Sequence, residues 1–159
     1  MSTHSKKVRP KQGRTYARRF AMQAFYQWQL VHTDVASLRS QFADNEDFHL
    51  ADNEYFFEIL NGVFKDTQYL DDIISPFLDR PIDQLDAVEH GILWVGTFEL
   101  MHKIDIPYRV IINEAVEIAK RFGAEGGHKF INGILDKIAK NHRLDIILEP
   151  SDNPATPLS

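Results

Sequence analysis

Between Val88 and Met101 the chain turns apolar side chains to nearly every direction of a helical wheel. Val88, Ile92 and Val95 lie on one side, Leu93 and Leu100 on a second, and Trp94, Phe98 and Met101 on a third. A helix that is apolar all round has no face to give to water, so it must form the buried centre of a larger bundle. The spacing predicts this helix from a cap at Asp83 to about Lys103. Glu99 falls inside the apolar part of the wheel, where a carboxylate needs donors; the expected ones are backbone N–H groups at the start of the next helix. Glu89 falls at the edge of the wheel, closer to solvent, where it can face a partner.

The run from Pro107 to Lys140 predicts a helical hairpin. Ile111, Ala115, Ile118 and Phe122 recur at helical spacing, with Pro107 at a first helical position and Gly123 as the C-cap. Glu117 and Arg121 form an i,i+4 pair on the outer side. A second helix follows from about His128 to Lys140, with Ile131, Ile134, Leu135 and Ile138 as its core stripe. Lys129, Phe130, Gly133 and Lys137 fall beside that stripe, and Gly126 and Gly127 leave backbone exposed just upstream. Two readings of Phe130 stand side by side: a core residue at the stripe's edge, or a ring that stacks a base next to lysines that hold phosphate.

The first helix is predicted from Arg14 or Thr15 to His32, with Ala17, Phe20, Ala21, Ala24, Trp28 and Val31 inward. Arg19, Met22, Tyr26 and Leu30 make a second strip. That strip meets either another part of the fold or a protein partner, and Tyr26 is the best single partner candidate because a phenol can bury its ring and still hydrogen-bond at an interface edge. Asp34 caps a short helix through Phe42, residues 43–49 read as an acidic loop, and Asp52 caps the next helix. From Tyr55 to Phe77 the apolar spacing fits one long helix or two joined near Asp66-Thr67. No strand alternation is present, so the fold class is all-α. The organisation is a basic arm over residues 1–13, disordered when free, one helical domain over 14–143, and a C-terminal tail over 144–159 in which Leu144, Ile146, Ile147 and Leu148 can pack back and residues 150–159 are frayed, which reads as a natural end.

Charge is distributed unevenly. Residues 1–19 carry Lys6, Lys7, Arg9, Lys11, Arg14, Arg18 and Arg19 and no acid, while the rest of the chain holds 11 basic and 23 acidic side chains. A basic arm on an acidic body suits a polyanion confined to one place, and it equally suits a solubilising tail. Arg14 and Arg18 oppose the dipole at the start of the first helix, which is tolerable where the charges meet phosphate.

The chain has 159 residues and no cysteine, so it offers one domain and no thiolate nucleophile or metal ligand. No histidine pair has the i,i+4 spacing of a helical metal site, and the glycines are spaced as a helix cap and a turn, not as a phosphate loop. No catalytic residue, metal site or cofactor site is read. Neither a membrane span nor a signal peptide is present, which fits a cytoplasmic protein.

The hairpin motifs Ile106-Pro107-Tyr108-Arg109-Val110, Ile112-Asn113-Glu114-Ala115, Ala119-Lys120, Phe122-Gly123, His128-Lys129-Phe130, Asn132-Gly133 and Leu135-Asp136-Lys137 resemble the C-terminal half of the NusB family of bacterial antitermination factors. Ala17-Arg18 and the run Ala21 to Leu30 resemble its first helix, and Tyr69-Leu70-Asp71 and Leu85 to Glu89 fall in family-like order, so the likeness covers about residues 14–140. It implies a bundle of about seven helices in two packed three-helix subdomains, and binding in place of catalysis. The family pairs with NusE, a small-subunit ribosomal protein, on boxA RNA of nascent ribosomal RNA transcripts, and supports antitermination with NusA, NusG and RNA polymerase. Carried over by position, the RNA contacts are Lys11, Arg14, Arg18 and Arg19 with Lys129, Phe130 and Lys137, and the NusE contacts are Tyr26 and Glu89 with Met22 and Leu30 of the same strip. Thr15 and Tyr16 interrupt an arginine cluster that is often contiguous in the family, and Gly126 stands where an acid is common. The competing classes are the RNA-recognition domain of a ribosomal-RNA cytosine methyltransferase, whose catalytic cysteines this chain lacks, and a helical module that binds protein alone.

Overall fold

Asp86, not Asp83, starts the central helix. Its Oδ1 accepts the backbone N–H groups of Val88 at 2.8 Å and Glu89 at 3.1 Å, while Asp83 lies within a single 3-10 turn, Ile82–Gln84. Both aspartates suit a cap, but the chain after Pro81 first makes this separate turn. A computed structural model of the chain describes residues 10–143. Seven α-helices follow in order: α1 Pro10–Val31, α2 Val35–Ala43, α3 Asn53–Lys65, α4 Thr67–Ile74, α5 Ala87–His102, α6 Tyr108–Phe122 and α7 Gly127–His142. The described residues contain no strand.

The all-α reading holds, with α5 at its centre. Every residue from Gly91 to Leu100 is buried, and α5 packs against α1, α3, α4, α6 and α7. Helices α5, α6 and α7 pack pairwise as one three-helix unit; α1 packs on α2 and α3, and the two groups meet along α1 and α5. Small residues set how closely the helices approach. A Cβ on Gly62 of α3 would lie 2.1 Å from the Phe98 ring of α5, and one on Gly96 would lie 2.8 Å from Leu135 of α7. A larger side chain at either position must displace the facing side chain or push the helices apart.

Asp34 and Asp52 cap α2 and α3 as the sequence indicates, accepting from the Ser37 and Tyr55 N–H groups. The long apolar stretch resolves into two helices parted at Asp66. Several expectations need correction. Helix α1 begins at Pro10, so residues 10–13 are helical and do not belong to a disordered arm; residues 1–9 and the proposed tail from 144 lie outside the described residues. Proline fits a first helical turn, where its missing N–H is not needed. The Gly13 carbonyl then accepts the Asp52 N–H at 2.8 Å, docking the start of α1 on the start of α3. Val31 is 64% exposed, whereas Phe25 is fully buried. Phe48 is buried in a short 3-10 turn within the stretch read as loop. Pro107 stays extended as the residue before α6, and Glu117 meets Lys120 at 3.7 Å in place of Arg121. Phe122 is partly exposed at the last turn of α6. Arg143, a residue the periodicity did not single out, is buried and donates to the Ile104 and Ile106 carbonyls, tying the end of α7 to the α5–α6 loop.

Candidate RNA and partner interfaces

The basic residues of α1 divide into two groups. Lys11 is exposed, Arg14 is half-buried with its guanidinium carbon 4.4 Å from the Tyr55 ring centroid, and Arg19 lies 5.3 Å over Tyr16. Arg18 is only 3% exposed. Its Nε and Nη2 donate to the two oxygens of Glu99 at 2.8 Å each, and Nη1 donates to Glu114 at 2.7 Å. The Tyr55 hydroxyl donates to the same Glu99 carboxylate, and Thr15 donates to Glu114. Burial works against the Arg18 charge, but the Glu99 hydrogen bonds and the charges of Glu99, Tyr55 and Glu114 outweigh it, holding the guanidinium pKa above its ordinary value. Burial, followed by the Glu99 charge and hydrogen bond, pushes the Tyr55 phenol up, so it stays a donor.

Two expectations change here. Arg18 was a candidate RNA contact, yet it is almost wholly buried and its guanidinium donates to the buried Glu99 and the part-buried Glu114, so little of it is left for phosphate. Glu99 was expected to accept backbone N–H groups, yet it accepts a bidentate arginine and a phenol. Charge-assisted partners of this geometry satisfy a buried carboxylate more fully than amides do. The groove beside this cluster, about 390 Å³, is lined by Lys11, Arg14 and Arg18 together with Asp52, Asp105 and Glu114. Among the described residues, the positive charge of this groove is therefore offset by carboxylates, with Lys11 its most exposed cation.

The second candidate RNA face lies at the start of α7. Gly126 adopts φ +80°, a left-handed conformation that glycine takes without penalty, and a Cβ there would meet nothing within 4 Å. Lys129 and Lys137 are exposed and Phe130 is half-buried. Phe130 packs against the core, and a guanidinium from outside the hairpin, that of Arg80, stands 5.1 Å from its ring centroid. Phe130 is thus a core-edge ring that also reaches the surface.

The candidate partner strip on α1 also divides. Met22 is 2% exposed and is corrected to a core residue. The cause is Gly91 of α5, where a Cβ would lie 3.3 Å from the Met22 carbonyl and 3.4 Å from its side chain, so the absent side chain lets α5 cover Met22. Tyr26 is 40% and Leu30 56% exposed. They line a groove of about 420 Å³ between α1 and α2 with Val31, Gln41 and Phe42. Glu89 is half-buried in the first turn of α5, and a Cβ on Gly127 would lie 3.5 Å from its carboxylate. Burial and then Asp86 push the Glu89 carboxyl up, with Arg80 opposing. Glu89 is therefore seated against the start of α7, next to the surface that carries Lys129 and Phe130.

Among the described residues no group of three or more histidine, aspartate or glutamate side chains is placed to hold a metal ion. No described helix is long and apolar enough to cross a membrane.

Comparison with known proteins gives these features a context. The NusB family model matches residues 15–140. The transcription antitermination protein NusB of Nitrosococcus oceani is 50% identical over 130 residues, covering 82% of this chain and 87% of that one; that of Alcanivorax borkumensis is 48% identical with the same coverage. The solved structure of T. maritima NusB aligns with a TM-score of 0.75 at 30% identity, over 91% of this chain and all of that one. A crystal structure of antitermination factors NusB and NusE in complex with double-stranded RNA aligns with a TM-score of 0.69 at 26% identity, over 86% of this chain and all of the matched one. Seven helices around a buried α5, the hairpin motifs and a match along most of its length show that the chain belongs to the NusB family of transcription antitermination proteins, which are not enzymes.

Proposed function

We propose that the chain binds boxA RNA of nascent ribosomal RNA transcripts together with NusE, and that this joint complex sustains processive transcription by RNA polymerase with NusA and NusG in the cytoplasm. The observation that carries the reading is the likeness, over 86% of the chain, to a NusB seen with NusE and RNA. Lys11, Arg14 and Arg19 at the outer end of α1 supply phosphate attraction that carries no sequence information and falls with salt. On α7, Lys129 and Lys137 add charge and Phe130 adds an aromatic surface for unpaired bases. Tyr26 and Leu30, exposed beside an apolar groove, suit a protein partner, and Glu89 extends partner contact toward α7. Arg18 and Met22 act from inside, holding α1 against α5 and α6.

A NusE that extends the RNA-contacting surface raises the affinity for RNA, and by linkage RNA raises the affinity for NusE by the same factor, without any chemistry in the chain. The test is assembly in solution. Sedimentation of the chain with NusE and a short boxA RNA should give a species that contains all three, with less complex when either ligand is left out. A chain that sediments alone in all mixtures refutes the reading.

A further inference from the structure

Arg80 has no place in the RNA surface described so far. It lies between the turn Ser75–Phe77 and Pro81, on a connection that approaches the start of α7 from the α4 side. Its guanidinium carbon is 5.1 Å from the Phe130 ring centroid. Its side chain is 41% exposed and pairs at 3.0 Å with Asp79, a neighbour that is itself 77% exposed. Such an exposed ion pair holds a side chain weakly, and so does an exposed cation–π contact. The guanidinium can therefore leave the ring at little cost. Around the pair the surface is open: Cβ atoms on Gly126 or on Gly133, one turn beyond Phe130, would meet nothing within 4 Å. Lys129 adds a charge beside the ring.

A planar cation and an aromatic ring at the edge of open surface are the two kinds of face on which an unpaired base stacks, and a guanidinium also donates to base edges and phosphate. We propose that Arg80 is an RNA-contacting residue: it covers the Phe130 ring in the free protein, moves aside when a base stacks there, and then holds that nucleotide through its guanidinium. The proposal rests on the RNA-binding reading above. A surface counter-ion for Asp79 and Glu89 is the competing role, and it predicts no effect on RNA.

The test uses the full chain with NusE and a short boxA RNA carrying 2-aminopurine at one unpaired position at a time. Wild type should quench the probe at one position. Arg80→Ala should weaken RNA binding about tenfold, the scale of one lost base contact, and lower the magnitude of the salt slope by about 0.7, one phosphate's worth on a single strand. Arg80→Lys should keep the slope while losing most of the affinity, because charge remains and the plane is gone. Phe130→Leu should abolish the quenching with an unchanged slope. Affinity for NusE without RNA should be the same in all three variants, and so should the thermal midpoint of the Arg80 variants. Wild-type affinity and slope in Arg80→Ala, alongside weakened binding in Phe130→Leu, overturns the assignment and leaves Arg80 a counter-ion. Full rescue by lysine refutes the nucleotide-holding plane, and a loss explained by weaker NusE binding refutes RNA contact. If wild type fails to bind RNA with NusE present, the RNA-binding reading itself falls and this proposal falls with it.

Discussion

Replacing Arg18 by alanine tests the reassignment of that residue from surface to core. In the folded chain Arg18 is 3% exposed and Glu99 1% exposed, and the arginine makes three N–H contacts with Glu99 and one with Glu114. Arg18→Ala deletes them together. Glu99 is left buried with only the Tyr55 hydroxyl, facing Glu114 without the cation that stood between them. Breaking a buried pair by removing one partner costs about 3–5 kcal/mol, against a total stability of about 5–15 kcal/mol for a domain. The thermal midpoint should fall by roughly 6–20 °C, at about 2–4 °C per kcal/mol for this size. The assay is thermal and urea unfolding followed by the fluorescence of Trp28 and Trp94, which lie in the aromatic cluster with Phe25 and Phe64. Arg14→Ala is the control: half-buried and stacked on Tyr55, it should cost about 1 kcal/mol or less. Arg18→Met combined with Glu99→Leu should recover much of the loss, because apolar side chains of similar size often replace a buried ion pair without penalty. An Arg18→Ala protein within about 1 kcal/mol of wild type would refute the buried network and return Arg18 to the candidates for phosphate.

Other consequences are open to simpler tests. Lys11→Ala with Arg14→Ala should weaken RNA binding and reduce the salt slope by up to about 1.4 on a single strand; an unchanged slope, measured by anisotropy, moves the RNA site off α1. Tyr26→Ala should lose NusE in a pull-down while keeping its helical circular dichroism, because the ring is 40% exposed; intact NusE binding assigns the partner site elsewhere. Gly126→Asp should cost roughly 1 kcal/mol from the left-handed backbone and weaken RNA binding by adding a negative charge near Lys129; equal RNA and NusE affinities sink that idea. Glu89 gives a pH signature. Its raised folded pKa means that it favours folding most when protonated and that this contribution is lost as pH rises through the raised value. Glu89→Gln should therefore gain stability relative to wild type at pH 7 and lose that advantage toward pH 4; a difference independent of pH contradicts the burial of the carboxylate.

How much of this was legible in the sequence depends on whether a feature is local. The apolar wheel of α5 and the stripes of α6 and α7 are periodic within one helix, and they give the bundle and its centre. The caps Asp34 and Asp52 follow from residue type and position alone. Asp83 and Asp86 are chemically equivalent caps, and only the intervening turn Ile82–Gln84 separates them. Met22 is covered because α5 passes close to it at Gly91, and Val31, the last residue of α1, is left exposed; neither can be read from the wheel of α1 alone. Arg18 is 81 positions from Glu99 and 96 from Glu114, so a basic cluster read along the chain counts it as surface charge. Glu99 marks the exception: a carboxylate on an apolar wheel signals a buried partner, and Tyr55 and Arg18 are what the fold supplies. Arg80 carries no periodic signal at all; its nearness to Phe130 is a property of the tertiary fold.

The first measurement to make is a salt titration of binding to a short boxA RNA, with and without purified NusE. RNA held by Lys11, Arg14 and the lysines of α7, with NusE extending the surface, gives salt-sensitive binding that strengthens when NusE is added. No binding in either condition, or binding that NusE leaves unchanged, contradicts the coupling of RNA and partner on this chain.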